Sequence, residues 1–144
     1  MRSVDGFRLW FGHVGDVRDL RALLSTGIQA AVDLALNEPP AVLPRELIYC
    51  RFPLIDGVGN PQWLLRAAVD CVAAVLQSDI PTLVYCSAGM SRSPCIAAAA
   101  IARIRGCPAD EALIWVAKSG TVDVMPGLWA EVKAAIDSTN NSPA

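Results

Sequence analysis

One stretch of the chain combines a cysteine, an arginine and small residues in a spacing that suits phosphate chemistry. Cys86 ends a short apolar run, and Arg92 follows it in a Cys-x5-Arg arrangement. Ser93 and Pro94 then open an alanine-rich segment that predicts a helix up to Arg105. Ser93 is the predicted N-cap and Pro94 belongs to the first helical turn. The pattern is a strand, a tight loop and a helix.

A loop that leads into a helix N-terminus is a natural site for a dianion. Its N–H groups converge on one spot, and the helix dipole favours negative charge there. Arg92 adds a planar fork for two phosphate oxygens. The same positive field favours the thiolate of Cys86, which is the nucleophilic form. Ser93 can donate a hydrogen bond to that sulfur, and Gly89 can adopt positive φ angles. The expected phosphate-binding residues are Ser87, Ala88, Gly89, Met90, Ser91 and Arg92. The alternative is a buried structural cysteine beside a solvated arginine.

At these residues the chain resembles a known family. Cys86 to Ser93 resembles the signature loop of the protein tyrosine phosphatase superfamily, and Ala-Gly-x-Ser-Arg-Ser resembles its dual-specificity branch most. One departure is Tyr85, since the family usually has histidine before the nucleophile. A neutral phenol offers one hydrogen bond and no positive charge near pH 7. Stabilisation of the thiolate would then depend on the loop N–H groups, the helix, Arg92 and Ser93.

Asp56 is the candidate general acid. A phosphate ester leaves poorly as an alkoxide, and a carboxylic acid near the leaving oxygen can protonate it. Asp56 follows an apolar segment, in a loop shaped by Gly57, Gly59 and Pro61. Its distance from Cys86 along the chain resembles the general-acid loop of dual-specificity phosphatases. The alternative is an Asx-turn residue that stabilises the loop.

Four further residues have reactive or aromatic side chains in weaker settings. His13, the one histidine, is far in sequence from the motif, so we expect an ordinary loop histidine rather than a Cys–His dyad. Cys95 could be a redox partner of Cys86, but a small core residue is favoured. Asn60 could orient a water molecule, although a loop asparagine is the commoner case. Trp63 follows the acid loop and is expected to border the pocket.

Composition limits the classes of function. The chain has 144 residues, 53% of them hydrophobic and 18% charged, as in a folded domain with a sizeable core. The net charge of −2 and the lack of basic runs predict no nucleic-acid or membrane partner. Residues 1–16 are too polar for a signal peptide, and no apolar run approaches a membrane span. Five cysteines without paired or metal-ligand spacing predict a reducing, cytoplasmic location with no metal and no cofactor.

Apolar patterns along the chain predict strands that alternate with helices. Strands are expected at residues 7–11, 28–34, 47–54 and 82–85. Helices are expected at residues 16–26, 62–77, 93–105, 108–118 and 127–137. This alternation predicts a single α/β domain with a central, largely parallel sheet flanked by helices, similar to dual-specificity phosphatases. The catalytic domain is expected to span residues 1–137, followed by a polar tail at 138–144.

These residues and the resemblance predict a cysteine-dependent phosphatase that passes through a phosphocysteine intermediate. The uncharged loop residues Ser87, Ala88 and Met90 favour phosphorylated tyrosine, serine or threonine in proteins over polyanionic phosphoinositides. Open alternatives are a phosphoinositide or small phosphate ester phosphatase, and a catalytically weak pseudophosphatase that binds phosphate. A sulfur-transfer domain is disfavoured by Arg92-Ser93 and Asp56.

Overall fold

A five-stranded sheet runs through the part of the protein that the structure describes. The computed structural model describes the backbone of residues 1–140 and the side chains of residues 1–137. The strands lie in the order β1-β2-β5-β3-β4, and only the β1–β2 pair is antiparallel. Their bounds are β1 (Arg2–Ser3), β2 (Leu9–His13), β3 (Ala30–Ala35), β4 (Ile48–Leu54) and β5 (Thr82–Cys86). The predicted α/β fold with a largely parallel sheet is confirmed.

Helices cover both faces of the sheet. They are α1 (Val14–Arg18), α2 (Leu20–Thr26), α3 (Gln62–Gln77), α4 (Arg92–Arg105), α5 (Ala109–Ala117) and α6 (Pro126–Asn140). None in the described part of the chain is long and apolar enough to cross a bilayer. The helix α6 extends past the predicted end of the domain, so residues 138–140 continue it. The rest of the predicted tail, residues 141–144, lies outside the described residues.

Two predicted elements near the start of the chain were wrong in their bounds. The strand predicted at residues 7–11 is β2, which begins at Leu9 and ends at His13, because its pairing with β5 matches Leu9 to Thr82 and His13 to Cys86. The single helix predicted at residues 16–26 is divided at Asp19. That residue ends α1, and its carboxylate accepts a hydrogen bond from the Ala22 N–H (3.1 Å), which caps α2. Neither the pairing nor the local cap is visible in the apolar periodicity alone.

The sheet separates two apolar layers of unequal size. Helices α3 to α6 build the larger layer, to which Val84 and Cys86 of β5 contribute. The smaller layer lies beside α1 and α2 and contains Leu83 and Tyr85. This division follows from the strand geometry, since successive side chains point to opposite faces. Cys86 therefore belongs to the side of the sheet that carries α4.

Helix α4 is the most enclosed helix among the described residues. Every residue from its start through Ala102 is buried, and the helix packs against the sheet, α3, α5 and α6. A helix that is apolar on all sides must be covered on all sides, and its alanines permit close approach. Gly106 ends it in the left-handed conformation, as expected for a helix C-terminus. The N-terminus of α4 is consequently held rigidly at the end of β5.

Candidate active site

The candidate nucleophile lies at the carboxyl end of the central strand. Cys86 is the last residue of β5, which is flanked by β2 and β3, and it is 2% exposed. The loop of residues 87–91 follows, and α4 begins at Arg92. Ligands of open parallel sheets bind at this edge. The strand–loop–helix arrangement predicted around Cys86 is confirmed.

A backbone N–H and a hydroxyl group lie beside the sulfur of Cys86. The Gly89 N–H donates to Sγ at 3.3 Å. The Ser93 hydroxyl oxygen lies 3.4 Å from Sγ and 3.5 Å from the Gly12 carbonyl oxygen. Such donors favour a negatively charged sulfur. The structure thus brings Ser93 to the sulfur, as the sequence predicted.

Gly89 occupies a position that no side chain can share. Its φ is +73°, and a Cβ there would lie 2.7 Å from the carbonyl carbon and oxygen of Gly12. Both the left-handed conformation and the contact with β2 require glycine. The loop can therefore fold tightly enough to turn the Gly89 N–H toward Cys86.

The predicted N-cap of α4 was wrong. Ser91 holds the N-cap position, and Ser93 lies inside the first turn together with Pro94. No side chain caps this helix; the Ser91 hydroxyl oxygen accepts a hydrogen bond from the Met125 N–H at 3.0 Å instead. The N–H groups of the first turn are thereby left to serve an anion. In the first turn of α4, Ser93 lies close enough to contact the sulfur of Cys86.

Arg92 is held along one edge of its guanidinium. Its Nη1 donates to the Leu54 carbonyl oxygen (3.0 Å) and to Asn37 Oδ1 (2.9 Å), and its Nη2 donates to Ser87 Oγ (3.1 Å). The side chain is 5% exposed, and Nε is buried without a hydrogen-bond partner among the described residues. A buried donor without a partner is costly. The guanidinium is thus fixed on its Nη side, and its Nε–H is an unsatisfied buried donor.

The sequence analysis missed Asn37. Its Oδ1 accepts hydrogen bonds from Arg92 and from the Ser87 hydroxyl (3.1 Å), so it joins both ends of the loop. It lies two positions beyond Ala35, the last residue of β3. The rule that ligands bind beyond the carboxyl ends of parallel strands could have identified it.

An open cavity of about 550 Å³ lies beside Cys86. Residues from Cys86 to Arg92 form one side of the cavity. The apolar side chains of Leu36, Ile55 and Met125, each about half exposed, border it. Asp56 and Asp123 also line it. Asp123 was missed as well, because no motif marks it; its N–H donates to the Met90 carbonyl oxygen at 2.7 Å. The two carboxylates make the surroundings of Arg92 more acidic than the motif alone suggested.

Trp63 does not line this cavity, and that expectation was wrong. It is the second residue of α3 and is 64% exposed. The chain turns into the helix at Pro61, and this early position on α3 faces solvent. Ile55 and Met125 occupy the apolar border that Trp63 was expected to supply.

Asp56 lies on an exposed loop that another residue shapes. Asn60 Oδ1 accepts from the Ile55 N–H (2.7 Å), and its Nδ2 donates to the carbonyl oxygens of Ile55 (2.9 Å) and Gly57 (3.2 Å). Asn60 is thus a loop-building asparagine. Within residues 1–137 the Asp56 carboxylate makes no hydrogen bond or ion pair. This observation disfavours the Asx-turn alternative, since the turn does not use the Asp56 side chain.

Cys95 is a core residue. It is fully buried on α4, and burial, followed by the charge of Asp56, raises the pKa of its thiol above the usual range. A neutral thiol in an apolar layer is inert. All five cysteines are free, so the favoured interpretation of Cys95 agrees with the structure.

His13 lies closer to the motif than its sequence position suggested. The register of β2 and β5 pairs it with Cys86 in the sheet. Its Nδ1 accepts a hydrogen bond from the Gly15 N–H (3.0 Å), which makes it the N-cap of α1, and the side chain is half exposed. No contact joins the imidazole to Cys86 in the described residues. A Cys–His dyad is absent there, and the side chain has a capping role.

Tyr85 is buried on the opposite face of the sheet from Cys86. Burial, followed by the neighbouring Tyr49 and Asp33, raises the pKa of Tyr85 above its usual range. The phenol is therefore neutral at pH 7, as expected. It places no positive charge beneath the loop, and the donors near the sulfur come from Gly89 and Ser93.

The chain has the fold of dual-specificity phosphatases. Human DUSP28 superposes with a TM-score of 0.84 at 20% identity, covering 97% of this chain and 98% of that one. Human tyrosine phosphatase-like serine/threonine/tyrosine-interacting protein gives 0.83 at 18% identity, with 99% and 98% covered. The Yvh1 phosphatase domain from Chaetomium thermophilum gives 0.76 at 16% identity, with 99% of both chains covered. No family model and no curated protein sequence matches the chain. At these identities the likeness establishes the fold alone.

Proposed function

We propose that the protein is a cysteine-dependent phosphatase that hydrolyses phosphate monoesters through a phosphocysteine intermediate. One observation supports this most: the Cys86 sulfur lies beside the Gly89 N–H and the Ser93 hydroxyl, in a cavity that Arg92 also lines. A nucleophile and a set of anion-binding donors thus share one cavity. Phosphoryl transfer needs this combination of positioning and charge stabilisation.

In the first step, the substrate phosphate binds to the loop N–H groups and to Arg92. The Cys86 thiolate attacks phosphorus, a P–S bond forms, and the P–O bond to the leaving group breaks. The bonding electrons pass to the leaving oxygen. Asp56 in its acid form gives its proton to that oxygen, so that a neutral alcohol or phenol departs.

In the second step, a water molecule attacks the phosphocysteine. Asp56 is now a carboxylate and accepts the proton from that water, which restores its acid form. The P–S bond breaks, and its electrons return to Cys86 as thiolate. Ser93 and the Gly89 N–H, both near the sulfur, stabilise the charge that develops there.

The border of the cavity supports a phosphorylated protein side chain as substrate. Leu36, Ile55 and Met125 offer apolar contact to the body of a phosphorylated residue, the ring of phosphotyrosine above all. Arg92 is the only cationic side chain among the residues that line the cavity, which also include two aspartates. A polyanionic phosphoinositide headgroup would meet net repulsion outside the loop. The free cysteines support a reducing compartment such as the cytoplasm.

A second candidate function is phosphate binding without turnover. Tyr85 favours it, because it supplies no positive charge in the place where the family usually has histidine. Human tyrosine phosphatase-like serine/threonine/tyrosine-interacting protein shares the fold, and its name describes a phosphatase-like interacting protein. The cluster of Cys86, Ser93 and Arg92 beside an unengaged Asp56 carboxylate supports catalysis more strongly.

The test compares two reactions in three proteins. Hydrolysis of p-nitrophenyl phosphate and sulfur transfer from thiosulfate are measured for the wild type, Cys86→Ser and Cys107→Ser, a partly exposed cysteine outside the cavity. We expect phosphate hydrolysis in the wild type and in Cys107→Ser, and none in Cys86→Ser, because a hydroxyl is a poor nucleophile here. Phosphopeptide binding without hydrolysis in the wild type would favour the second candidate. Sulfur transfer would overturn both.

A further inference from the structure

Helix α6 holds the loop that carries Asp56 through one carboxylate. Glu131 Oε1 accepts hydrogen bonds from the Gly59 N–H (3.0 Å) and from the Asn60 N–H (3.3 Å), and its Oε2 lies 3.1 Å from the same Gly59 nitrogen. A carboxylate that accepts from backbone N–H groups makes charge-assisted bonds, which are stronger than neutral ones. These bonds cross between segments that are far apart in the sequence.

A second contact joins the same loop to the same helix. A Cβ at Gly127, in the first turn of α6, would lie 2.6 Å from Val58 Cγ1. Val58 therefore occupies space that only glycine leaves open. Glycine inside a helix costs about 1 kcal/mol relative to alanine, so its presence here needs a reason such as this contact. The loop is docked on α6 at Val58 and at Gly59–Asn60.

The contacts extend from Glu131 to both sides of Asp56. Glu131 holds the backbone of Asn60, whose side chain in turn bonds to Ile55 before Asp56 and to Gly57 after it. The Asp56 carboxylate itself has no hydrogen-bond or ion-pair partner in the described residues. The position of that carboxylate is consequently determined by contacts of the residues around it.

We propose that Glu131 is a positioning residue that holds Asp56 toward the leaving-group oxygen. The inference rests on the proposed function, because it assigns to Glu131 the placement of the general acid. Glu131 does not line the cavity and touches no reacting atom. Its effect on catalysis should therefore appear only in steps that require the proton of Asp56.

The experiment measures kcat and KM for aryl phosphates whose leaving groups range from p-nitrophenol to phenol. The variants are Glu131→Ala and Glu131→Gln, with Glu111→Ala as the control for loss of an exposed helix carboxylate. For phenyl phosphate we expect Glu131→Ala to lower kcat by about 10- to 100-fold, the loss typical of a misplaced catalytic group. The loss should shrink as the leaving group improves, with KM unchanged. Glu131→Gln keeps one acceptor oxygen and should recover part of the activity.

A double-mutant cycle with Asp56→Asn separates positioning from a general loss of stability. If Glu131 acts through Asp56, adding Glu131→Ala to Asp56→Asn should change kcat little. Equal losses for all leaving groups, or additive losses in the cycle, would overturn the proposal.

Amide hydrogen exchange provides a readout that does not need activity. Glu131→Ala should speed exchange at Gly59 and Asn60, while the amides of α4 keep their protection. Unchanged exchange at both amides would show that Glu131 does not hold this loop. A wild type that hydrolyses no substrate would refute the proposed function and the role in positioning a general acid, whereas exchange would still decide whether Glu131 holds the loop.

Discussion

The two loops that supply the proposed chemistry are built in opposite ways. The nucleophile loop, residues 86–92, is packed into the core: Cys86 and Arg92 are buried, and Gly89 contacts the backbone of Gly12 in β2. The acid loop is exposed, with Val58 68% accessible, and its backbone N–H groups donate hydrogen bonds to the side chains of Asn60 and Glu131, which hold it. Core packing leaves little freedom to a side chain, whereas surface hydrogen bonds allow adjustment. Damage to the first loop should therefore abolish function, and damage to the second should reduce it by degrees.

The largest effect is expected for Arg92→Lys. Lysine keeps the charge but loses the planar fork, and it leaves the Leu54 carbonyl oxygen and Asn37 without their donor. We expect kcat/KM for p-nitrophenyl phosphate to fall by about 10³-fold or more, since loss of a single preorganised donor already costs 10²–10³. Arg103→Lys, which alters a partly exposed ion pair with Asp70 outside the cavity, is the control and should change little. An Arg92→Lys variant with near-normal activity would contradict the idea that core geometry dominates this loop.

A smaller and more selective effect is expected for Asp56→Asn. The amide cannot give up a proton, so kcat for phenyl phosphate should fall by about 10²–10⁴-fold, the usual contribution of general acid catalysis. The loss for p-nitrophenyl phosphate should be much smaller, because that leaving group needs little help. The dependence on leaving group is measured by steady-state kinetics.

Asp123→Asn is the control for Asp56→Asn, since both carboxylates line the same cavity. It should leave the dependence on leaving group unchanged. If Asp123→Asn abolishes that dependence and Asp56→Asn does not, the proton comes from Asp123 and the assignment of the acid loop is wrong.

The clearest effect on stability is expected from a pair of glycine variants, one inside the nucleophile loop and one outside it. Gly106→Ala introduces only the strain of the left-handed conformation, because nothing lies within 4 Å of the added Cβ, and should cost about 1–2 kcal/mol. Gly89→Ala adds a clash with Gly12 and should cost more, with a larger loss of activity. Denaturant unfolding and p-nitrophenyl phosphate kinetics measure both. Equal destabilisation by the two variants would show that β2 does not constrain the nucleophile loop.

Local chemistry made the nucleophile loop predictable from the sequence. Cys86, Gly89 and Arg92 belong to one continuous stretch, and α3 begins and ends at the residues that its apolar pattern indicated. The errors arose where distant segments meet. Ser93 was taken for the N-cap because a contact between Ser91 and Met125 is invisible in the sequence.

Asn37 and Glu131 were missed for the same reason, since each contacts a segment that is distant in the sequence. Asn37 reaches Arg92 only because β3 and β5 are neighbours in the sheet. Glu131 reaches the acid loop only because α6 packs beside it. Local periodicity identifies elements but does not specify which ends of them meet. The acid loop depends on tertiary contacts with α6, so it was predicted less completely than the nucleophile loop.

The most direct measurement asks which atom accepts the phosphoryl group. The wild type and Asp56→Asn, in which hydrolysis of the intermediate should also be slow, are mixed with p-nitrophenyl phosphate and denatured rapidly at alkaline pH. Peptide mass spectrometry then locates any added phosphoryl group. The proposed function predicts that it is attached to Cys86, more abundantly in Asp56→Asn, and absent from Cys86→Ser. Sustained hydrolysis with no phosphoryl group on Cys86, or with the group on another residue, would contradict it.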